Sequence, residues 1–120
     1  MITSPPYPGL IDYHEQHRYA YELLELDDRR AEEIGAAEAG RTKAAKERYA
    51  EAMVDSLTNT HRQLSSGAPV VIVVNDSLEL YPAIIERAGL VVEQRLTRHV
   101  NRRTGRRAGQ FFESVIVCRT

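Results

Sequence analysis

The chain has 120 residues, of which 28% are charged and 42% apolar, with a formal net charge of -1 at neutral pH. That is room for one domain at most, with the balance of an ordinary soluble globular chain and not of a basic nucleic-acid coat. A single cysteine, Cys118, excludes an intramolecular disulfide scaffold. No basic-then-apolar leader is visible and no apolar run nears the ~18 residues that span a bilayer, so a cytoplasmic location is expected.

Two apolar residues, Met1 and Ile2, lead into Thr3-Ser4-Pro5-Pro6-Tyr7, followed by Pro8-Gly9. Two successive prolines fix φ twice, keep the preceding residue extended and remove two N–H donors, so the stretch is a rigid corner with outward carbonyls. A hydroxyl on one side and an aromatic ring on the other suit a flat molecule carrying an NH2 group. The ring stacks on its face while Ser4 and the Pro5 carbonyl accept the amine hydrogens. Two such acceptors localise a lone pair otherwise delocalised into a nucleobase ring. If they strengthen as the nitrogen becomes tetrahedral, they favour the transition state over the ground state. The competing reading is a polyproline stub or linker.

Ile11 to about Leu26 reads as a helix capped by Asp12, with Tyr13, His17, Ala20, Tyr21 and Leu24 at three-to-four spacing. Asp27 to Gly40 reads as a loose surface excursion. Residues 22–39 hold seven acidic and two basic side chains, whereas residues 95–107 hold six Arg and no acid. A long helix is predicted from about Thr42 to Leu64, with Ala45, Tyr49, Met53 and Leu57 in one stripe. Ser65-Ser66-Gly67 ends it. Val70 to Val74 is a continuous β-branched run, the pattern of a parallel strand buried on both faces. Asn75-Asp76-Ser77 caps a helix over Leu78–Ala88, ended by Gly89. Leu90 to about His99, alternating apolar with polar from Val92 on, and Phe111 to Arg119, with Phe112, Ser114, Ile116 and Cys118 on one face and Phe111, Val115 and Val117 largely on the other, read as two strands of an antiparallel hairpin.

Ser4-Pro5-Pro6-Tyr7, together with Asp12-Tyr13, Arg18-Tyr19 and Glu22-Leu23-Leu24 after it, resembles the catalytic motif and the following segment of the S-adenosylmethionine-dependent DNA amino-methyltransferases. The resemblance implies an α/β fold, here the second half of a Rossmann-like methyltransferase domain, its mostly parallel sheet ending in an antiparallel hairpin. It implies transfer of a methyl group to the exocyclic amine of cytosine (N4) or adenine (N6) in DNA, with Ser4, Pro5, Pro6 and Tyr7 catalytic. The first half, with its Gly-rich cofactor turn, is not visible in these residues. The expectation is therefore a single partial catalytic domain over 1–120, with S-adenosylmethionine bound mainly by a complementary subunit. Thr3 and Ser4 are the candidate cofactor contacts within this chain. Arg102, Arg103, Arg106 and Arg107 are candidate phosphate contacts.

The alternatives are an inactive remnant, a non-catalytic nucleic-acid-binding accessory subunit, and an RNA methyltransferase. His14-Glu15-Gln16-His17 resembles a zinc-protease helix, but that motif spaces its two His by four residues and here the spacing is three, so no metal site is expected. His17 and Arg18 are expected to pack beside the corner, and Cys118 to be a small core residue.

Overall fold

The structure, a computed structural model, describes residues 1–100 and 111–120. The chain forms two compact units, one made of Met1–Pro5 with Val54–Thr120 and the other of Pro6–Met53.

The first unit is built on four strands, β1 (Ile2–Thr3), β2 (Pro69–Val74), β3 (Val91–Val100) and β4 (Phe111–Arg119), in the order β1-β2-β4-β3. Strand β1 pairs parallel with β2, and β4 pairs antiparallel with both β2 and β3. The hairpin expected from the sequence is present, with Val100 opposite Phe111 and Val91 opposite Arg119. The mostly parallel pairing is not, since only one of the three pairings is parallel. The reason is the place of β4. By entering between β2 and β3 it turns what would be one parallel pairing into two antiparallel ones, although β1, β2 and β3 all run the same way.

Strand β2 is buried alternately. Val70, Ile72 and Val74 are inaccessible, while Val71 and Val73 stay partly exposed. The register puts Ile116 and Cys118 on the buried face and Val115 and Val117 on the other. The buried face forms the core with Leu57, Tyr81, Ile84, Ile85 and Leu90. Burial on both faces, expected from the β-branched run, is therefore not observed. An uninterrupted apolar run shows what a strand can bury, not what covers it. Strand β3 is a sheet edge, so the alternation expected along it gives way to exposure at nearly every residue, and a bulge at Val92 and Glu93 shifts its register.

Helix α4 (Tyr81–Arg87) starts three residues later than the sequence predicts, because Asp76 accepts from the Leu80 and Tyr81 N–H groups and so caps there. Gly89, at φ +75°, ends the helical segment as expected.

Cys118 is fully buried, and burial pushes its thiol up from the usual range. The prediction is that iodoacetamide labels it slowly in the folded chain and rapidly in urea, because the thiolate is the nucleophile. Equal rates would place the thiol at the surface.

In the second unit, the single helix expected over Ile11–Leu26 is two short ones, α1 (Tyr13–Gln16) and α2 (Arg18–Leu23), broken at His17. Asp12 caps α1 as expected, its carboxylate accepting from the Glu15 N–H at 3.0 Å. The predicted stripe is not a core face: Tyr13, His17, Ala20 and Leu24 are exposed, and His14 is the buried residue. The acidic excursion contains two 3-10 turns, Arg30–Glu32 and Ala37–Ala39. Helix α3 (Lys43–His61) carries the predicted stripe, and in this unit Ala45, Tyr49 and Met53 are buried.

Candidate active site

In the first unit, β1 ends by delivering Ser4, exposed, and Pro5, buried, at the carboxyl edge of the sheet. Parallel pairing brings the end of β2 to the same edge. There the Asn75 side-chain amide donates to the Phe112 carbonyl at 2.7 Å. The Asp76 carboxylate is buried, 1% exposed, and bonds three donors: the Leu80 N–H at 2.8 Å, the Tyr81 N–H at 3.3 Å and Arg95 Nη2 at 3.1 Å. Arg95 also donates to the Ser114 hydroxyl at 3.2 Å, so a half-exposed guanidinium is held between two buried acceptors. Breaking such a pair from one side leaves the other partner's charge uncompensated.

The antiparallel hairpin puts Val100 and Phe111 at this same edge. Arg102, Arg103, Arg106 and Arg107, the predicted phosphate contacts, lie outside the described residues.

In the second unit, Pro6 and Tyr7 are partly buried. The Tyr49 hydroxyl donates to the Pro6 carbonyl at 2.8 Å, and the Leu10 N–H closes a turn on the Tyr7 carbonyl at 3.2 Å. The Gly9 N–H donates to the Gly35 carbonyl at 3.0 Å. The acidic excursion is thus less loose than its composition implies, since it reaches back to the segment after the prolines. Glu33 accepts from the N–H groups of Tyr13 at 2.7 Å and His14 at 3.2 Å, a carboxylate set against the start of α1.

His17 and Arg18, expected beside the corner, are exposed instead, and Arg18 pairs with Glu15 and Glu22. His14 is the residue drawn inward. Its ring lies 4.0 Å from that of Tyr21, and its Nε2 accepts from the Arg29 N–H at 3.3 Å with an Asp28 oxygen also at 3.3 Å. The Arg30 backbone N–H bonded to Asp28 holds that carboxylate below its ordinary range. Among the described residues, no group of three His, Cys, Asp or Glu side chains could hold a metal ion.

Sequence reasoning placed Tyr49 in the core stripe and missed its polar end. The signal was available, because a buried tyrosine needs a partner for its hydroxyl. Glu33 and Gly35 carried no such signal, since their roles depend on backbone about twenty residues or more away.

No family model and no solved structure matches the chain. A methyltransferase is similar to it. The type II methyltransferase M.MjaII of Methanocaldococcus jannaschii is 44% identical over 115 residues, 96% of this chain and 22% of that protein. The chain therefore spans about a fifth of the length of this curated relative.

Proposed function

We propose that the chain is the target-base part of a site-specific DNA amino-methyltransferase, methylating cytosine N4 or adenine N6. The observation that carries the reading is the similarity to a type II methyltransferase along nearly the whole chain, joined to the Ser-Pro-Pro-Tyr motif, whose Ser4 and Pro5 leave a strand at the carboxyl edge of a sheet. Ligands of open α/β sheets bind at that edge. The order β1-β2-β4-β3, with the last strand between two that share a direction, supports reading the fold as the second half of a Rossmann-like methyltransferase domain.

In this reading a base turned out of the duplex lies against the Tyr7 ring, and the Ser4 hydroxyl and Pro5 carbonyl accept its amine hydrogens. Ser4 is exposed and free to meet a ligand, whereas the Pro6 carbonyl already accepts from Tyr49. Holding both N–H bonds orients the nitrogen lone pair and stabilises the positive charge that grows on the nitrogen during transfer. Arg102, Arg103, Arg106 and Arg107, which lie between Val100 and Phe111 in the sequence, would add sequence-independent phosphate contacts.

The described residues do not suit S-adenosylmethionine on their own. The turn between β2 and α4 has no glycine, and Asp76 takes the helix N-terminal donors that a cofactor would use. A second polypeptide is proposed to hold the cofactor, with Thr3 and Ser4 the nearest contributions from this chain. The half-open sheet supports such a partner. Ile2, Val71, Val73, Val115, Val117 and Leu96 form an apolar face across all four strands, from which Ile2 is 80% and Leu96 49% exposed.

Calorimetry and methyl transfer test this together. The chain alone is expected to give no micromolar binding of S-adenosylmethionine, and its mixture with the product of the adjacent reading frame to transfer labelled methyl groups to DNA. Micromolar binding by the chain alone would refute the division of labour. A mixture that forms a complex with DNA but transfers nothing would favour an accessory or remnant role.

A further inference from the structure

We propose that Tyr49 and Gly35 are positioning residues for the Pro6–Tyr7 corner, acting through the backbone to aim the Tyr7 ring. The inference rests on the methyl-transfer reading of that corner and adds what holds it.

Tyr49 is 2% exposed, and its hydroxyl bonds the carbonyl of the Pro6–Tyr7 peptide at 2.8 Å. The pyrrolidine ring already locks φ at Pro6. A bond to its carbonyl sets the tilt of the next peptide plane, and so the direction in which the Tyr7 side chain leaves the backbone. Gly35 backs the arrangement from the other side. It sits at φ +75°, and a Cβ there would lie 2.8 Å from Tyr49 Cδ2, 3.1 Å from Cε2 and 3.3 Å from Pro8 Cα. No larger residue leaves the Tyr49 ring where it is, and left-handed backbone adds a second reason for glycine. The Gly35 carbonyl accepts the Gly9 N–H at 3.0 Å, so the stretch from Pro6 to Gly9 is held at both ends.

A Tyr serving only the core would require the ring and any acceptor. Here the acceptor is the backbone of the one segment proposed to meet the base, and the ring is seated on a residue that also binds that segment. Misplacement by about 1 Å at a reacting group costs as much as ~100-fold, so a single lost hydrogen bond at this point is expected to be read in rate.

The test labels Tyr7 with 3-fluorotyrosine in the full chain. The unsubstituted chain should give one narrow fluorine resonance. Tyr49→Phe, which keeps the ring and loses the hydroxyl, should shift and broaden it while lowering the melting temperature by only a few degrees. In the methyl-transferring mixture the same variant should lower kcat by about tenfold and leave KM for DNA within about twofold. Gly35→Ala, which displaces the ring, should disturb the same resonance. An unchanged resonance in Tyr49→Phe, or lost stability with kcat intact, would overturn the proposal. Should the unsubstituted mixture transfer no methyl, the methyl-transfer reading falls, and the fluorine signal alone still decides whether Tyr49 positions Tyr7.

Discussion

Replacing Ser4 by alanine is expected to lower methyl transfer by the reconstituted enzyme by about 100-fold while leaving DNA affinity near its original value. The magnitude is that of removing one preorganised hydrogen-bonding group aimed at charge that develops in a transition state. Ser4 is exposed at the end of β1, beyond the Thr3–Ile72 pairing, so its hydroxyl carries none of the core. An effect on kcat with an unaltered melting temperature therefore reports chemistry. The contrast with Ser4→Asp sharpens it, because a carboxylate still accepts from an amine and should retain more activity than alanine does. Single-turnover transfer measured with saturating DNA gives the rate, and equilibrium binding gives the affinity. Ser4→Ala with full activity would remove the hydroxyl from the mechanism. It would return the corner to a structural role, leaving the chain as a binding or accessory subunit.

The second large effect separates the two faces of β2. Ile72→Ala should destabilise the chain by about 3 kcal/mol or more, since a fully buried Ile loses both its transfer free energy and the packing around the cavity it leaves. That is a large fraction of the ~5–15 kcal/mol that holds a typical domain together. Val71→Ser, one residue away on the partly exposed face, should cost the isolated chain only about 1 kcal/mol or less. In the presence of the proposed cofactor-binding polypeptide the order should reverse in a different observable. Val71→Ser should weaken the complex, whereas any Ile72→Ala chain that folds should still associate. Urea midpoints at constant slope give the first comparison, and light scattering of the mixture gives the second. Equal destabilisation by both substitutions would mean that the second face is packed in the chain itself, and the case for a partner there would fail.

Much of the regular structure was legible in the residues. The β-branched run at Val70–Val74, the alternation ending at Arg119 and the stripe that includes Tyr49, Met53 and Leu57 depend on local periodicity, and each appears as a strand or helix near its expected bounds. The helix over Ile11–Leu26 was legible only in part. Its spacing permits a helix, but the unit buries only His14 of that stretch, and without a core to pack on, a three-to-four pattern does not keep the chain in one continuous helix.

By itself the sequence determined the corner, because two prolines constrain φ whatever surrounds them, and it determined the cap at Asp12, which needs only nearby backbone. The tertiary structure decided what lies far apart in the chain. It set β4 between β2 and β3, brought Val100 and Phe111 to the edge where Ser4 leaves β1, and joined Tyr49 to Pro6 across 43 residues. The physical reason is one of range. Dihedral preferences and capping bonds act within a turn or two of chain, whereas strand order and the partner of a buried hydroxyl follow from which surfaces bury each other, a property no single segment carries.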